Sequence, residues 1–236
     1  MSLNLNTVYS HFLPIESIIP DKKEIMRYMG QKGEASPEII TLIETNIKNT
    51  LSKASPKGAF VIQNLNFDKG KIKIGESIFE SENLSKNLLG CDKAIVFTLT
   101  LGADADRAIQ SGKASSPLES LIISAIFTDV IEKYADIFTG ELQREFLKSN
   151  EYLKPRFSPG YGDFKLENQP MFIKATDSTK RCGVSLTDSL MLTPSKSITG
   201  VIGISKSKRC NKNEKCENCE KTDCSFRKNK EVASND

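Results

Sequence analysis

The segment 156–162, Arg-Phe-Ser-Pro-Gly-Tyr-Gly, combines residue types that could bind a ligand. Pro159 fixes its own φ, and Gly160 allows the backbone to turn sharply or to approach a ligand closely. We therefore expect a rigid loop that presents Tyr161. Arg156 adds a cation whose planar fork suits a carboxylate or a phosphate. The alternative is an ordinary Pro-Gly surface turn with a solvated arginine, because Pro and Gly punctuate loops of every kind.

A second group of chemically capable residues is the set of four cysteines near the end of the chain. Cys210, Cys216, Cys219 and Cys224 follow the pattern C-x5-C-x2-C-x4-C in a polar, lysine- and glutamate-rich segment. Such a segment cannot fold by burying a core, so a metal would supply the folding energy. Four thiolates suit either tetrahedral zinc or an iron–sulfur cluster. A disordered tail with redox-sensitive thiols, or two reversible disulfides, are the alternatives.

Composition excludes several classes of protein. The 236-residue chain has 38% hydrophobic and 27% charged residues, which is typical of a globular protein. Its net charge of +3 gives no field that argues for nucleic-acid binding. Without a long apolar run or a secretory leader, we expect a cytoplasmic protein that does not bind membranes. A single histidine, His11, argues against a histidine-based triad.

The elements that must position the 156–162 loop can be read from hydrophobic periodicity. The spacing predicts one long core helix over about 117–147, with Gly140 as the alternative point of a break and with acidic residues on its solvent face. Those acidic residues are Asp129, Glu132 and Asp136. Shorter helices are predicted near residues 21–29, 37–51, 81–89 and 104–106, and one over 167–175 is expected to be interrupted by Pro170.

Strand-like runs alternate with these helices. Residues 59–62, 71–74 and 78–79 predict an antiparallel meander, and residues 93–101 form the most strand-like run. Residues 183–194 and 197–204 are two β-rich segments that a Thr-Pro-Ser turn could join as a hairpin. We expect an α+β domain over 1–205, with 1–112 as a candidate subdomain, followed by a cysteine-rich metal-binding tail over 206–236.

Two motifs lie some two dozen residues apart. Arg156 is followed by Pro159-Gly160-Tyr161, and later Leu186-Thr187-Asp188-Ser189 leads to Pro194 and a serine-rich β segment. Together these motifs resemble the activation (reactivation) domain of cobalamin-dependent methionine synthase. The family shows these features in the same order and at about the same distance. The resemblance is clear from about residue 117 to 205. It implies an α+β fold with a twisted antiparallel sheet and a groove that binds S-adenosylmethionine over a corrinoid.

The resemblance also implies roles for individual residues. Arg156 would contact S-adenosylmethionine, Tyr161 would lie near the cofactor face and serve catalysis, and the backbone at Ser158 and Gly160 would line the site. Glu132 is the nearest match to an acidic residue that the family uses on the preceding helix. A later family tyrosine falls on the Lys-Arg-Cys segment of this chain, so that contact would be absent or replaced.

The function implied is that of an accessory activation subunit. Reductive methylation of cob(II)alamin would take place with cobalamin held on a separate methionine synthase or corrinoid protein, because nothing in the chain is long enough to be a cobalamin-binding domain. An electron-donor protein would be a further partner, and the cysteine tail could relay its electron through an iron–sulfur cluster. Two alternatives remain: a non-catalytic module that binds S-adenosylmethionine or a corrinoid protein, and an interaction protein with a zinc ribbon.

Overall fold

The computed structural model describes residues 3–31, 33, 35–68 and 70–206. The cysteine segment predicted to bind metal lies outside these residues. The described strands are β1 (Val8–Phe12), β2 (Lys57–Asp68), β3 (Lys71–Ile74), β4 (Ser77–Phe79), β5 (Lys93–Thr100), β6 (Tyr152–Leu153), β7 (Ser185–Leu186), β8 (Leu192–Thr193) and β9 (Ser197–Ser205). The described helices are α1 (Lys22–Tyr28), α2 (Pro37–Thr50), α3 (Glu82–Leu88), α4 (Ala103–Ser115), α5 (Pro117–Leu147), α6 (Gln169–Ala175) and α7 (Ser178–Cys182).

Seven strands form one sheet in the order β4-β3-β2-β5-β9-β6, and β1 pairs with the first part of β2. All strand pairs in this sheet are antiparallel. β5 pairs with β2 on one side and with β9 on the other, each over eight residues, which explains its almost complete burial. The predicted α+β class with an antiparallel sheet flanked by helices is confirmed, as is the β2-β3-β4 meander.

Alternate residues of the central strands pack against two different layers. Phe97, with Ile95 and Leu99, faces the core formed with α5 and its neighbouring helices. Val96 and Val201 face a second core that contains residues of α3 and α6 together with Phe164. The period of two along the strands therefore places helices on both faces of the sheet.

The 31-residue helix α5 is the longest element and is continuous through Gly140. Ser116 caps it, because the Ser116 Oγ accepts a hydrogen bond from the Glu119 N–H at 3.0 Å, and Pro117 occupies the first turn. One acidic residue departs from the predicted solvent face: Asp129 is only 2% exposed. Its Oδ2 accepts from the Asp21 N–H at 2.9 Å and lies 3.4 Å from Lys133 Nζ, so it ties α1 to α5.

Two local predictions were wrong. The 183–194 segment does not pair with the 197–204 segment. Instead, it folds on itself as the small β7–β8 ladder, whereas β9 lies between β5 and β6. The reason is that β9 is almost wholly buried and needs neighbours on both sides, whereas Thr187, Asp188 and Ser189 make an exposed turn. Pro170 does not interrupt a helix either, because it lies in the first turn of α6, where it removes no helical hydrogen bond.

Candidate functional site

The loop that carries the Arg-x-x-Pro-Gly-Tyr motif is attached to the edge of β9. The Phe157 N–H donates to the Val201 carbonyl at 2.9 Å, and the Val201 N–H donates back to the Phe157 carbonyl at 2.8 Å. Beyond this point the chain turns tightly, with the Tyr161 N–H donating to the Ser158 carbonyl at 3.2 Å. Gly160 adopts φ +95°, a conformation that suits glycine. The Pro-Gly loop that was expected to present Tyr161 is thus hydrogen-bonded to β9 and across its own turn.

Two residues after Tyr161, Asp163 anchors the other side of the loop to the start of α3. Its carboxylate accepts from Ser81 Oγ at 2.6 Å and from the backbone N–H groups of Glu82 and Asn83 at 2.6 and 3.2 Å. The hydrogen bond from Ser81, followed by those from the backbone, lowers the pKa of the Asp163 carboxyl. The helix end therefore receives caps both from its own Ser81 and from the loop.

Arg156 is the central cation of the site. Its side chain is only 10% exposed, and its Nη2 donates to Asp136 Oδ1 at 2.6 Å and to Glu132 Oε2 at 3.4 Å. Both carboxylates come from α5 and lie four residues apart, so they occupy one face of that helix. The structure thus brings together Arg156 and Glu132, two residues that the sequence predicted for the same site.

Tyr161 lies beside this ion-pair group. Its ring meets the Phe157 ring edge-on with centroids 6.0 Å apart, yet 55% of the residue surface is exposed. Desolvation and then the nearby Glu132 charge raise the pKa of the Tyr161 phenol, and Arg156 opposes them. The phenol is therefore neutral at physiological pH. Glu132 also raises the pKa of Tyr28 on α1, after the larger effect of burial, so a second tyrosine lies close to this carboxylate.

The other predicted site residues fall into two groups. Ser158 and Gly160 lie in the turn itself and contribute backbone groups to it. Cys210, Cys216, Cys219 and Cys224 lie outside the described residues. Within residues 3–31, 33, 35–68 and 70–206, no cluster of three or more His, Cys, Asp or Glu side chains could hold a metal ion. None of the helices described is long and apolar enough to cross a membrane.

Sequence reasoning missed part of the site. It assigned Asp136 to the solvent face of α5, and this carboxylate is exposed but also pairs with Arg156. No local pattern links Tyr28 to this loop, because the two lie more than a hundred residues apart in the sequence. A usable signal was present on α5, where Ser124, Thr128, Glu132 and Asp136 recur every four residues and so line one stripe of the helix.

Comparisons with known proteins agree with the fold and with the family resemblance. The family model for the vitamin B12-dependent methionine synthase activation domain matches residues 95–229, a range that contains the loop, α5 and the four cysteines. A crystal structure of the MetH reactivation domain bound to AdoHcy is similar, with a TM-score of 0.62 and 15% identity. The similarity covers 85% of this chain and 79% of that one, and at this identity it shows the fold.

The search of curated proteins found no match. The family model nevertheless covers more than half of the 236 residues, and the matched range includes both the Arg156–Tyr161 loop and the strand β9 to which it is attached. The chain therefore belongs to the family of vitamin B12-dependent methionine synthase activation domains.

Proposed function

We propose that this chain binds S-adenosylmethionine at the site formed by Arg156, Glu132 and Tyr161. The observation that supports this most directly is the state of the Arg156 guanidinium. In the described part of the chain it is held through Nη2 alone, so its Nε and Nη1 donors remain for a ligand. An immobilised guanidinium with free donors suits bidentate binding of a carboxylate.

The neighbouring groups fit the rest of the amino-acid end of that ligand. S-adenosylmethionine carries an α-ammonium next to its carboxylate, and the adjacent Glu132 offers an anion for it. The exposed ring of Tyr161 offers an aromatic face, which attracts a cation such as the sulfonium. Arg156 and Glu132, whose Nη2 and Oε2 atoms lie 3.4 Å apart, are thus complementary to the carboxylate and ammonium of the ligand.

The proposed reaction is reductive methylation of a corrinoid on a separate protein. Cob(II)alamin accepts one electron, and the resulting cobalt nucleophile takes the methyl group from the sulfonium, which leaves as S-adenosylhomocysteine with its C–S electron pair. The cobalamin supplies this chemistry, and the chain supplies the position of the methyl donor. We propose an accessory subunit, located in the cytoplasm, whose partner is a cobalamin-dependent methionine synthase or corrinoid protein.

Binding is tested by calorimetry with S-adenosylmethionine on the wild type, Arg156→Ala and Arg156→Lys. We expect Arg156→Ala to lose about 1.5–3 kcal/mol of binding free energy, the value of hydrogen bonds to a charged group. Arg156→Lys should recover only part of it, because lysine lacks the fork. Arg107→Ala, an exposed arginine on α4, is the matched control and should bind normally. Wild-type protein that fails to bind the ligand would refute the proposal.

Turnover separates an activation subunit from a binding module. The protein is incubated with a cob(II)alamin-loaded partner, a reductant and S-adenosylmethionine, and methylcobalamin is followed by its absorption spectrum. An activation subunit accelerates its formation, and the Arg156→Ala variant does so less. Normal binding without any return of methylcobalamin would favour the non-catalytic module.

We further propose that Cys210, Cys216, Cys219 and Cys224 hold an iron–sulfur cluster that relays the electron from a donor protein. The support comes from the sequence alone: four thiolates at metal-ligand spacing in a segment without apolar residues to bury. Iron and sulfide analysis, together with EPR of anaerobically purified protein, tests it. Stoichiometric zinc without iron would remove the electron relay and leave a zinc knuckle that docks the partner.

A further inference from the structure

The polar stripe on α5 has a second half that the proposed site does not use. Glu132 and Asp136 hold Arg156, whereas Ser124 and Thr128, the preceding members of the stripe, hold another cation, Lys196. The centres of the two pairs are eight residues apart, which is about 12 Å along the helix axis. The same helix face therefore carries two separated positive groups.

Lys196 is contributed by the turn that leads from β8 into β9. Its Nζ donates to Ser124 Oγ at 3.0 Å and to Thr128 Oγ1 at 2.8 Å. Its backbone is fixed on the other side, because the Leu101 N–H donates to the Lys196 carbonyl at 2.9 Å. The next residue back, Ser195, donates through both its N–H and its hydroxyl to Asp106. The ammonium is thus held by α5, and the backbone of its turn is fixed by Leu101 after β5 and, through Ser195, by Asp106 of α4.

The partners of Lys196 leave one of its three N–H donors unused. It forms no ion pair with a carboxylate of the described residues, and both its partners are neutral hydroxyls. Burial lowers the pKa of this ammonium, and the Asp106 charge only partly opposes that. An ammonium has three N–H donors, of which two are used here. A half-buried ammonium with one unused donor is suited to an acceptor that a ligand supplies.

We propose that Lys196 determines specificity for the nucleoside end of the S-adenosyl ligand. This inference rests on the proposed function, in which Arg156 binds the carboxylate. From there, the stripe leads along α5 to Lys196 over a distance comparable to the length of an extended S-adenosylmethionine molecule. The ring nitrogens of adenine and the ribose oxygens are neutral acceptors, which suit the third N–H of the ammonium. Arg156 and Lys196 thus bind opposite ends of one ligand.

Two ligands and two variants test the carboxylate end and the nucleoside end of the ligand separately. S-adenosylhomocysteine has both ends, whereas 5′-methylthioadenosine has the nucleoside and the thioether but no carboxylate. Calorimetry is performed with both ligands on wild type, Lys196→Met and Arg156→Ala. We expect Lys196→Met to weaken both ligands about tenfold or more, as for loss of a hydrogen bond from a charged donor. Arg156→Ala should weaken S-adenosylhomocysteine only.

Two controls address charge and structure. Lys113→Met removes an exposed lysine from α4 and should leave both affinities unchanged. Ser124→Ala keeps the ammonium but deletes one of its structural partners. It should therefore lower the melting temperature, and it should weaken ligand binding less than Lys196→Met does. A merely structural Lys196 would lose stability in Lys196→Met without any change in the affinity of folded protein for either ligand.

The outcomes distinguish this inference from the function on which it rests. If S-adenosylhomocysteine binds the wild type but Lys196→Met binds both ligands normally, the role of Lys196 is overturned and the Arg156 site stands. The same holds if wild-type protein binds S-adenosylhomocysteine but not 5′-methylthioadenosine, because the nucleoside end is then not held. Failure of wild type to bind both S-adenosylhomocysteine and S-adenosylmethionine overturns both proposals.

Discussion

At the scale of single residues, Tyr161 differs from Arg156 in how it can contribute to binding. Arg156 is nearly buried and is fixed by two carboxylates, whereas Tyr161 presents an exposed ring next to Glu132. Binding of the ligand's carboxylate should depend on Arg156, and binding of its sulfonium should depend on Tyr161. The contribution of an aromatic face to a cation is about 0.5–2 kcal/mol, so it is measurable by substitution.

We predict that Tyr161→Leu weakens S-adenosylmethionine more than S-adenosylhomocysteine. The first ligand carries a sulfonium that the ring attracts, and the second carries a neutral thioether. The expected difference is about 0.5–2 kcal/mol in binding free energy, measured by calorimetry with both ligands. Tyr161→Phe keeps the ring and is the matched control. Equal losses for both ligands in Tyr161→Leu would show that the ring contributes packing only.

A second prediction at this scale concerns Asp163, whose folded-state pKa is lowered by its hydrogen bonds at the start of α3. A lowered pKa means that its stabilisation is present above the unfolded pKa and is lost as pH falls through the folded pKa. Asp163→Ala should cost about 0.5–1 kcal/mol at pH 7, within the range for helix caps. Urea unfolding should show that the difference persists at pH 5 and disappears well below pH 3.8. A difference independent of pH would exclude the carboxylate as its source.

At the scale of elements, sequence periodicity predicted helix α5 and strand β5 well because both have long, regular patterns. The start of α5 was readable from Ser116-Pro117, and the apolar runs showed which elements are buried. It was harder to predict which strands and side chains contact each other. The neighbours of β9 depend on which buried strands still lack a hydrogen-bonding partner. The pairing of Arg156 with Asp136 depends on where the loop crosses helix α5. Neither of these long-range contacts is visible as a pattern of neighbouring residues in the sequence, whereas the Pro-Gly-Tyr turn is.

The continuity of α5 leads to a prediction at Gly140. A Cβ at this position would meet nothing within 4 Å apart from the helix itself, so Gly140→Ala should stabilise the protein by about 0.5–1 kcal/mol. Gly112→Ala in α4 is the matched comparison. There a Cβ would lie 2.7 Å from Ile123 Cδ1 and 3.3 Å from the Ser120 backbone, so the change should destabilise. Chemical denaturation of both variants measures the effects, and a destabilised Gly140→Ala would argue against an unbroken α5.

At the scale of the whole molecule, the sheet joins segments from both halves of the sequence. β2 and β5 come from the first hundred residues, but the other edge of β5 is covered by β9, and Phe97 packs against Phe138 of α5. The site depends on the same long-range arrangement, because its loop is hydrogen-bonded to β9 and to α3. The proposed binding residues and the core residues therefore share their supporting contacts, so loss of the sheet should remove both the proposed site and the core.

At this scale we predict that the candidate subdomain 1–112 does not fold on its own. Expressed alone, it would keep β1–β5 and the first helices but would expose the edge of β5 and the apolar face that α5 covers, including Phe97 and Leu99. We expect it to lack a cooperative thermal transition, because unpaired strand edges and uncovered apolar surface do not support a stable sheet. Residues 1–206 should instead unfold in one transition, with equal hydrogen-exchange protection in β2 and β9. Circular dichroism and amide exchange measure both, and a fragment 1–112 with native-like protection would establish it as a subdomain.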